Sequence, residues 1–239
     1  MSYKFYKIEE INHLNEEVFT LRFSGKFDGV PGQFYMIKLN KNTDPLLARP
    51  ISISDIGDDY IVFLIQIMGR GTKEMSNLRV GDSLGLLGPL GTGFNIDSSK
   101  KVALLAGTAG IAPMLYLSKS LPHKPDLYVG YRSGEYYTEE FKSSINEMYI
   151  ATEDGSVGHK GYALDILDAS KYDKIYVCGP MPMIRATVSK FPNANIEVSL
   201  EAHMGCGIGA CLSCDCKTRS GAIRICMEGP VIDAKELKL

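Results

Sequence analysis

The stretch from Gly205 to Met227 restricts the chain more than any other, because its backbone has to bring four sulfurs together. Cys206, Cys211 and Cys214 form a C-x4-C-x2-C run among small residues (Gly207, Gly209, Ala210, Ser213), and Cys226 follows after eleven intervening residues. This spacing holds [2Fe-2S] clusters, with glycines that let the backbone wrap inorganic sulfide closely and turn N–H groups toward it. A structural zinc would also take four cysteines, though usually as two short pairs rather than three and a distant fourth. A disulfide framework belongs to small secreted chains, whereas this one has 239 residues and begins without an apolar leader. Cys216 is expected to lie near Cys214, but only Cys214 completes the spacing, so Cys214 is read as the ligand.

Composition narrows the rest. A chain of this length can bury a core without staples, and 45% hydrophobic with 23% charged residues is ordinary for a globular protein. A net charge of -2 argues against a nucleic-acid binder, which needs a clustered basic surface. No stretch is long and apolar enough to span a membrane, and Met1 to Glu10 alternates charges. Six cysteines, four of them in one motif, fit a reducing compartment, and a cytoplasmic location is the expectation.

The N-terminal third reads as a small antiparallel β-barrel. Val18 to Phe23 alternates Phe19, Leu21 and Phe23 against Thr20 and Arg22. Further strands are expected at Gln33 to Leu39, Pro50 to Ile56, Tyr60 to Met68 and Ser83 to Leu87, separated by turn clusters. Two stretches there look chemical. In Arg49-Pro50-Ile51-Ser52 a permanently charged guanidinium at a strand entry could clamp a diphosphate while the backbone meets a planar ring; the plain alternative is a structural strand start. Gly69-Arg70-Gly71-Thr72-Lys73 reads as a turn with free N–H groups, a phosphate nest or simply a turn.

From Lys101 the period changes. Val102 to Ala106 is wholly apolar, as for a parallel strand covered on both faces. Gly107-Thr108-Ala109-Gly110 then leads into a helix predicted over Ile111 to Leu121, with Pro113 in its first turn; Gly107, Thr108 and Gly110 are where a pyrophosphate would rest, or form a tight connection. Strands at Asp126 to Tyr131, Met148 to Thr152 and Lys174 to Cys178, a capped helix start at Thr138-Glu139-Glu140-Phe141, and helices around Tyr162 to Leu167 and from Met181 imply a parallel sheet. Cys178-Gly179-Pro180 ends a strand at the edge where such sheets bind ligands, so its thiol faces a nicotinamide or is a small buried hydrophobe. Arg132 and Ser133 meet a 2′-phosphate or cap a turn, His203 is a surface or packing residue, and the lysines at 100–101 and 171–174 are isolated solvated charges.

In this order the motifs resemble the ferredoxin-NADP reductase superfamily, and within it the family of electron-transfer subunits of NAD-dependent bacterial dihydroorotate dehydrogenases. The resemblance covers essentially the whole chain and is most specific in 153–161, in Ser199-Leu200-Glu201 with Met204 to Cys211, and in Ile225 to Val231. It implies a six-stranded antiparallel FAD-binding barrel over 1–98, an NAD-binding parallel-sheet α/β domain over 99–198 and a [2Fe-2S] domain over 199–239. Arg49, Pro50, Ile51 and Ser52 match the flavin-binding R-P-[IL]-S, Gly71 and Thr72 the FAD phosphate turn, and Cys206, Cys211, Cys214 and Cys226 the cluster ligands. Leu64, Ile65 and Gln66 match the strand along the flavin, with Ile65 and Gln66 where relatives typically carry an aromatic and an arginine. The loop between Cys214 and Cys226 is shorter, and the turn at 107–110 less glycine-rich, than the family pattern. The function implied is electron transfer between NAD(H), FAD, a [2Fe-2S] cluster and a catalytic FMN-containing dihydroorotate dehydrogenase subunit in a heterotetramer. Another partner, such as a hydrogenase, a sulfur reductase or a bifurcating ferredoxin oxidoreductase, or a zinc-binding or redox-sensing module, is the competing expectation.

Overall fold

The N-terminal strands close on one another because each has an apolar face that only a shared interior buries. In the computed structural model, which describes residues 2–39 and 44–238, these are β1 (Lys4–His13), β2 (Val18–Ser24), β3 (Phe34–Leu39), β4 (Arg49–Ile56), β5 (Tyr60–Gln66) and β6 (Ser83–Leu90). They form a closed antiparallel barrel in the order β1-β2-β5-β4-β3-β6. Phe19, Leu21 and Phe23 fill its interior with Ile37, Ile53, Ile61, Phe63 and Ile65, as the alternation predicts. The sequence pattern does not mark β1, because Ile8 is the one buried residue among its charged and half-exposed neighbours. Met1 and Leu239, the ends of the expected domains, lie outside the described residues.

Three local expectations are corrected. Gly69 to Lys73 is a helix start rather than a turn: α1 covers Arg70–Ser76 with Gly69 as its cap. The Thr72 hydroxyl accepts from the N–H groups of Met68 and Gly69 at 2.9 and 3.2 Å, so it closes the entry of the helix. Thr138 caps no helix; Glu139–Phe141 is a single 3-10 turn and the Thr138 hydroxyl bonds the Glu135 carboxylate. Lys100, Lys101 and Lys171 are exposed as expected, but Lys174 is no isolated solvated charge: it is buried and paired with Asp97 and Glu197.

After the barrel come β7 (Val102–Gly107), β8 (Asp126–Tyr131), β9 (Met148–Thr152), β10 (His159–Lys160), β11 (Lys174–Cys178) and β12 (Ile196–Ser199), paired in parallel in the order β10-β9-β8-β7-β11-β12. All of β7 is buried, as its apolar run requires, because side chains pack on both faces of the sheet. One 3-10 turn, Thr108–Ile111, separates β7 from α2 (Ala112–Ser120), which starts with Pro113 in its first turn. The other helices of this unit are α3 (Ala163–Ile166) and α4 (Met181–Lys190), whose Met181 and Met183 pack on the core.

The C-terminal segment carries the cysteine loop, the hairpin β13 (Asp215–Lys217) and β14 (Ala222–Arg224), and the short helix α5 (Ile225–Glu228). Its strand β15 (Val231–Asp233) then adds antiparallel to β12, so the parallel sheet gains a seventh strand. The segment also docks on the barrel, where Thr92 N donates to Gly229 O at 2.6 Å. Lys174, 2% exposed, ties the connecting segment to the sheet through Asn95 O at 2.6 Å, Asp97 at 3.1 Å and Glu197 at 3.0 Å. Among the described residues no helix is long and apolar enough to cross a membrane.

Candidate cofactor cleft and cluster site

Between the barrel and the carboxyl edge of the parallel sheet lies a cleft of about 1080 Å³. Gln66, Ile67 and Met68 line it from the barrel, and Gly107, Thr108 and Pro180 from the sheet. The expected residues Gln66, Gly107, Thr108 and Pro180 are therefore brought together. The two sheet turns touch each other. A Cβ on Gly110 would come within 2.3 Å of Cys178 O, and one on Gly107 within 3.0 Å of Pro180 and 2.7 Å of the Met183 sulfur. A side chain at Gly110 would collide with backbone, which does not yield. Thr108 holds φ +50°, a left-handed conformation that a β-branched residue keeps only where its surroundings impose it.

Cys178 is buried behind this turn, 3% exposed. Desolvation, then the Glu201 carboxylate, raises its pKa, and a bond with Ser199 offsets this in part, so the thiol stays protonated. Glu201 belongs to a stretch that carries the family resemblance, but the sequence reading gave it no role at the site. It is exposed to the cleft, and desolvation by its protein neighbours raises its pKa. Its position two residues past β12, at the carboxyl edge of a parallel sheet, is the signal that could have found it. Arg132 and Ser133 also line the cleft. The Ser133 hydroxyl bonds Asp154, which with Ser156 holds that carboxyl down at about 2, so Ser133 is occupied in a turn.

Beside the cleft, the two barrel motifs meet. A Cβ on Gly71 would lie 2.0 Å from Cζ and Nε of Arg49, so the guanidinium rests directly on the glycine at the start of α1. Arg49 also donates to Leu47 O. Arg49 to Ser52 are half-buried along β4 and paired with β3, Ser52 opposite Phe34 and Arg49 opposite Ile37. A guanidinium beside a helix start suits a diphosphate. On β5, Leu64 is buried against the sheet unit, while the Ile65 side chain points into the barrel interior and leaves only its backbone for a ligand.

The cysteine loop packs on the barrel, since a Cβ on Gly207 (φ +73°) would lie 2.5 Å from Met36 of β3. Its sulfurs form two pairs: Cys211 faces Cys206, and Cys226 faces Cys214. The outer pair is accessible, with Cys211 exposed, and the inner pair is buried. Backbone N–H groups turn toward the sulfurs, Gly209 to Cys226 at 3.1 Å and Ile208 to Cys206 at 3.4 Å. Ser213 Oγ lies 3.1 Å from Cys211 Sγ and accepts from Gly205 N at 2.9 Å. Hydrogen bonds from Ser213 first, and then from Cys206, lower the Cys211 pKa to about 6. Cys216 sits apart on β13, bonded to Lys217 O. Among the described residues no three His, Cys, Asp or Glu side chains converge as one ion would require. Two sulfur pairs with N–H donors suit a two-iron, two-sulfide unit better than a single tetrahedral zinc.

A closed antiparallel barrel, a parallel sheet facing it across a cleft and a four-cysteine loop define a class of reductase that joins a flavin and nicotinamide fold to an iron-sulfur segment. Residues 201–238 match the iron-sulfur cluster binding domain of dihydroorotate dehydrogenase B. The chain is 41% identical to the dihydroorotate dehydrogenase B (NAD(+)) electron transfer subunit of Clostridium acetobutylicum over 98% of this chain and 96% of that protein. It is 40% identical to the Clostridium perfringens protein of the same description, over 97% and 96%. Among solved structures, an NADH-dependent reduced ferredoxin-NADP oxidoreductase studied for flavin-based electron bifurcation superposes with a TM-score of 0.88 at 26% identity, covering 98% of this chain and 89% of that one. A ferredoxin reductase of carbazole 1,9a-dioxygenase shares the fold at a TM-score of 0.68 and 21% identity, covering 82% and 66%. The chain belongs to the family of dihydroorotate dehydrogenase B (NAD(+)) electron transfer subunits.

Proposed function

We propose that this chain carries electrons between NAD(H) and a catalytic FMN-containing subunit that interconverts dihydroorotate and orotate, and that it works in the cytoplasm within a heterotetramer. The observation that carries this reading is the placement of the nucleotide cleft and the four sulfurs against one barrel, in a chain that aligns with its relative over 98% of its residues. FAD and a [2Fe-2S] cluster supply the exchange of a two-electron hydride for single electrons.

The chain's own work is binding and placement. Arg49, resting on Gly71, holds the diphosphate of FAD, and Thr72 keeps the helix entry beside it closed. Pro50, Ile51 and Ser52 of β4, with Leu64, Gln66 and the backbone of Ile65 on β5, would lie along the ring. Gly107, Thr108 and Gly110, backed by Cys178, Gly179 and Pro180, seat the nicotinamide nucleotide, and the protonated Cys178 presents no charge there. Cys206, Cys211, Cys214 and Cys226 would hold the cluster, with the exposed Cys211 marking the side open to a partner. The absence of a catalytic acid-base pair from this scheme follows from the chemistry, which needs orientation rather than proton abstraction by the protein. The division into 1–98, 99–198 and 199–239 assigns one cofactor to each unit, with β15 returning to close the middle sheet.

The test is coexpression with the FMN-containing subunit encoded in the same genome and assay of dihydroorotate-dependent NAD+ reduction. Activity that needs both chains supports the reading. A chain that NADH reduces but that never couples to dihydroorotate would favour a second reading, reduction of a different partner, for which the similarity to the bifurcating oxidoreductase speaks.

A further inference from the structure

The strand that begins with Arg49-Pro50-Ile51-Ser52 continues through Ser54 and Asp55, and these two side chains reach out of the barrel to grip the α/β unit. Ser54 is 0% exposed, and its Oγ lies 3.0 Å from Ala112 O and 3.0 Å from Tyr137 Oη. A carbonyl only accepts, so Ser54 gives its single proton to Ala112, and Tyr137 then donates to Ser54. One hydroxyl thus joins β4, the first residue of α2 and the loop after β8. Asp55 grips the far end of α2: its Oδ2 accepts from Lys119 Nζ at 2.7 Å and from Tyr60 Oη at 3.0 Å. Between them Tyr116 Oη donates to Gly29 O in the barrel at 3.0 Å. Ala112, Tyr116 and Lys119 follow the i, i+4, i+7 spacing of one helical face.

What those segments carry gives the grip its meaning. α2 follows directly on the turn that packs against Cys178. Tyr137 ends the loop whose Arg132, Ser133 and Tyr136 line the cleft. It holds φ +64°, a conformation that a bulky residue keeps only when its surroundings fix it, and its phenol is anchored on Ser54. Flavin strand, nucleotide turn and cleft loop are therefore locked to one another through side chains that line no part of the cleft.

We propose that Ser54 and Asp55 are positioning residues, which set the offset between the flavin strand and the nucleotide side of the cleft and thereby the rate of hydride transfer. The proposal rests on the functional reading above. Two reactants held on separate units react at a rate that falls by up to about 100-fold for a misplacement of about 1 Å.

The test compares the wild type with Ser54→Ala, Tyr137→Phe and Lys119→Met in the full chain, by two readouts. In the FAD-free chain, hydrogen exchange of the amides at 107–112 and 131–138 should speed up by about tenfold, with β2 and β5 unchanged. In the FAD-loaded chain, anaerobic stopped flow at saturating NADH should show flavin bleaching slowed by about tenfold, while FAD and NADH dissociation constants stay within about twofold. Bleaching within about twofold of the wild type in all variants would overturn the proposal, as would a slowing accounted for by weaker binding alone. If Ser54→Ala does not fold, Tyr137→Phe, which removes one oxygen and keeps the Ser54 to Ala112 bond, decides by the same criteria. A wild type that NADH fails to bleach would overturn the functional reading and this proposal with it. A bleached wild type with unaltered variants would overturn this proposal alone.

Discussion

Substituting Gly71 by alanine separates ligand binding from folding more cleanly than any other single change. The new Cβ would stand 2.0 Å from Cζ and Nε of Arg49, against about 3.4 Å for an ordinary contact, so the guanidinium has to retreat by about 1.4 Å or more. Arg49 is the end of a flexible side chain and can move, and Gly71 lies in the first turn of α1, where alanine is favoured over glycine by up to about 1 kcal/mol. Thermal stability should therefore be unchanged or slightly raised. A charge-assisted bond to a diphosphate contributes about 1.5 to 3 kcal/mol, so FAD affinity should fall by roughly 10- to 150-fold. The assay is titration of FAD into the apoprotein by quenching of flavin fluorescence, beside a melting curve. Repeating it in an Arg49→Ala background closes the cycle: if Gly71→Ala acts through the guanidinium, it adds almost nothing there. Full additivity, or FAD affinity within about twofold of the wild type, would refute the reasoning.

Other outcomes follow from the same geometry. Cys226→Ser and Cys214→Ser should abolish the visible cluster absorbance and lower bound iron from about two per chain toward zero, whereas Cys216→Ser, placed apart on β13, should keep both. Lys174→Met leaves the Glu197 and Asp97 carboxylates without their shared cation, and urea denaturation should show a loss of about 3 kcal/mol. Glu201, whose pKa is raised in the folded chain, costs stability once the pH exceeds its unfolded value, because the unfolded state ionises more readily. Glu201→Gln should accordingly raise the melting temperature at pH 7 to 8, with the gain vanishing as the pH falls below the usual glutamate range; a gain independent of pH would contradict this.

Much of the fold was legible because burial imposes period. The alternation at Phe19, Leu21 and Phe23 and the unbroken run at Val102 to Ala106 are direct prints of a one-sided and a two-sided strand. β1 was hidden because a strand with one buried residue leaves no alternation to read, although it pairs with β2 and β6 on its two sides. Gly69 to Lys73 was misread as a turn because two glycines outweigh helix propensity locally, whereas the helix is closed at its entry by Thr72 and buries Met75 in the barrel core. At the site, spacing in the chain marks cysteines that share one loop, but contacts between distant segments leave no local trace. The meeting of Arg49 with Gly71, of Gly110 with Cys178, and of Ser54 with Ala112 and Tyr137 belongs to that second kind.

Anaerobic titration of the purified chain with NADH, followed by visible absorbance and electron paramagnetic resonance, tests the central claim most directly. An FAD that takes two electrons and a cluster that takes one should consume about 1.5 equivalents of NADH per chain, with flavin bleaching and a reduced [2Fe-2S] signal that disappears in Cys226→Ser. Uptake that stops at about one equivalent with no cluster signal, or a colourless protein that NADH leaves unchanged, would contradict it.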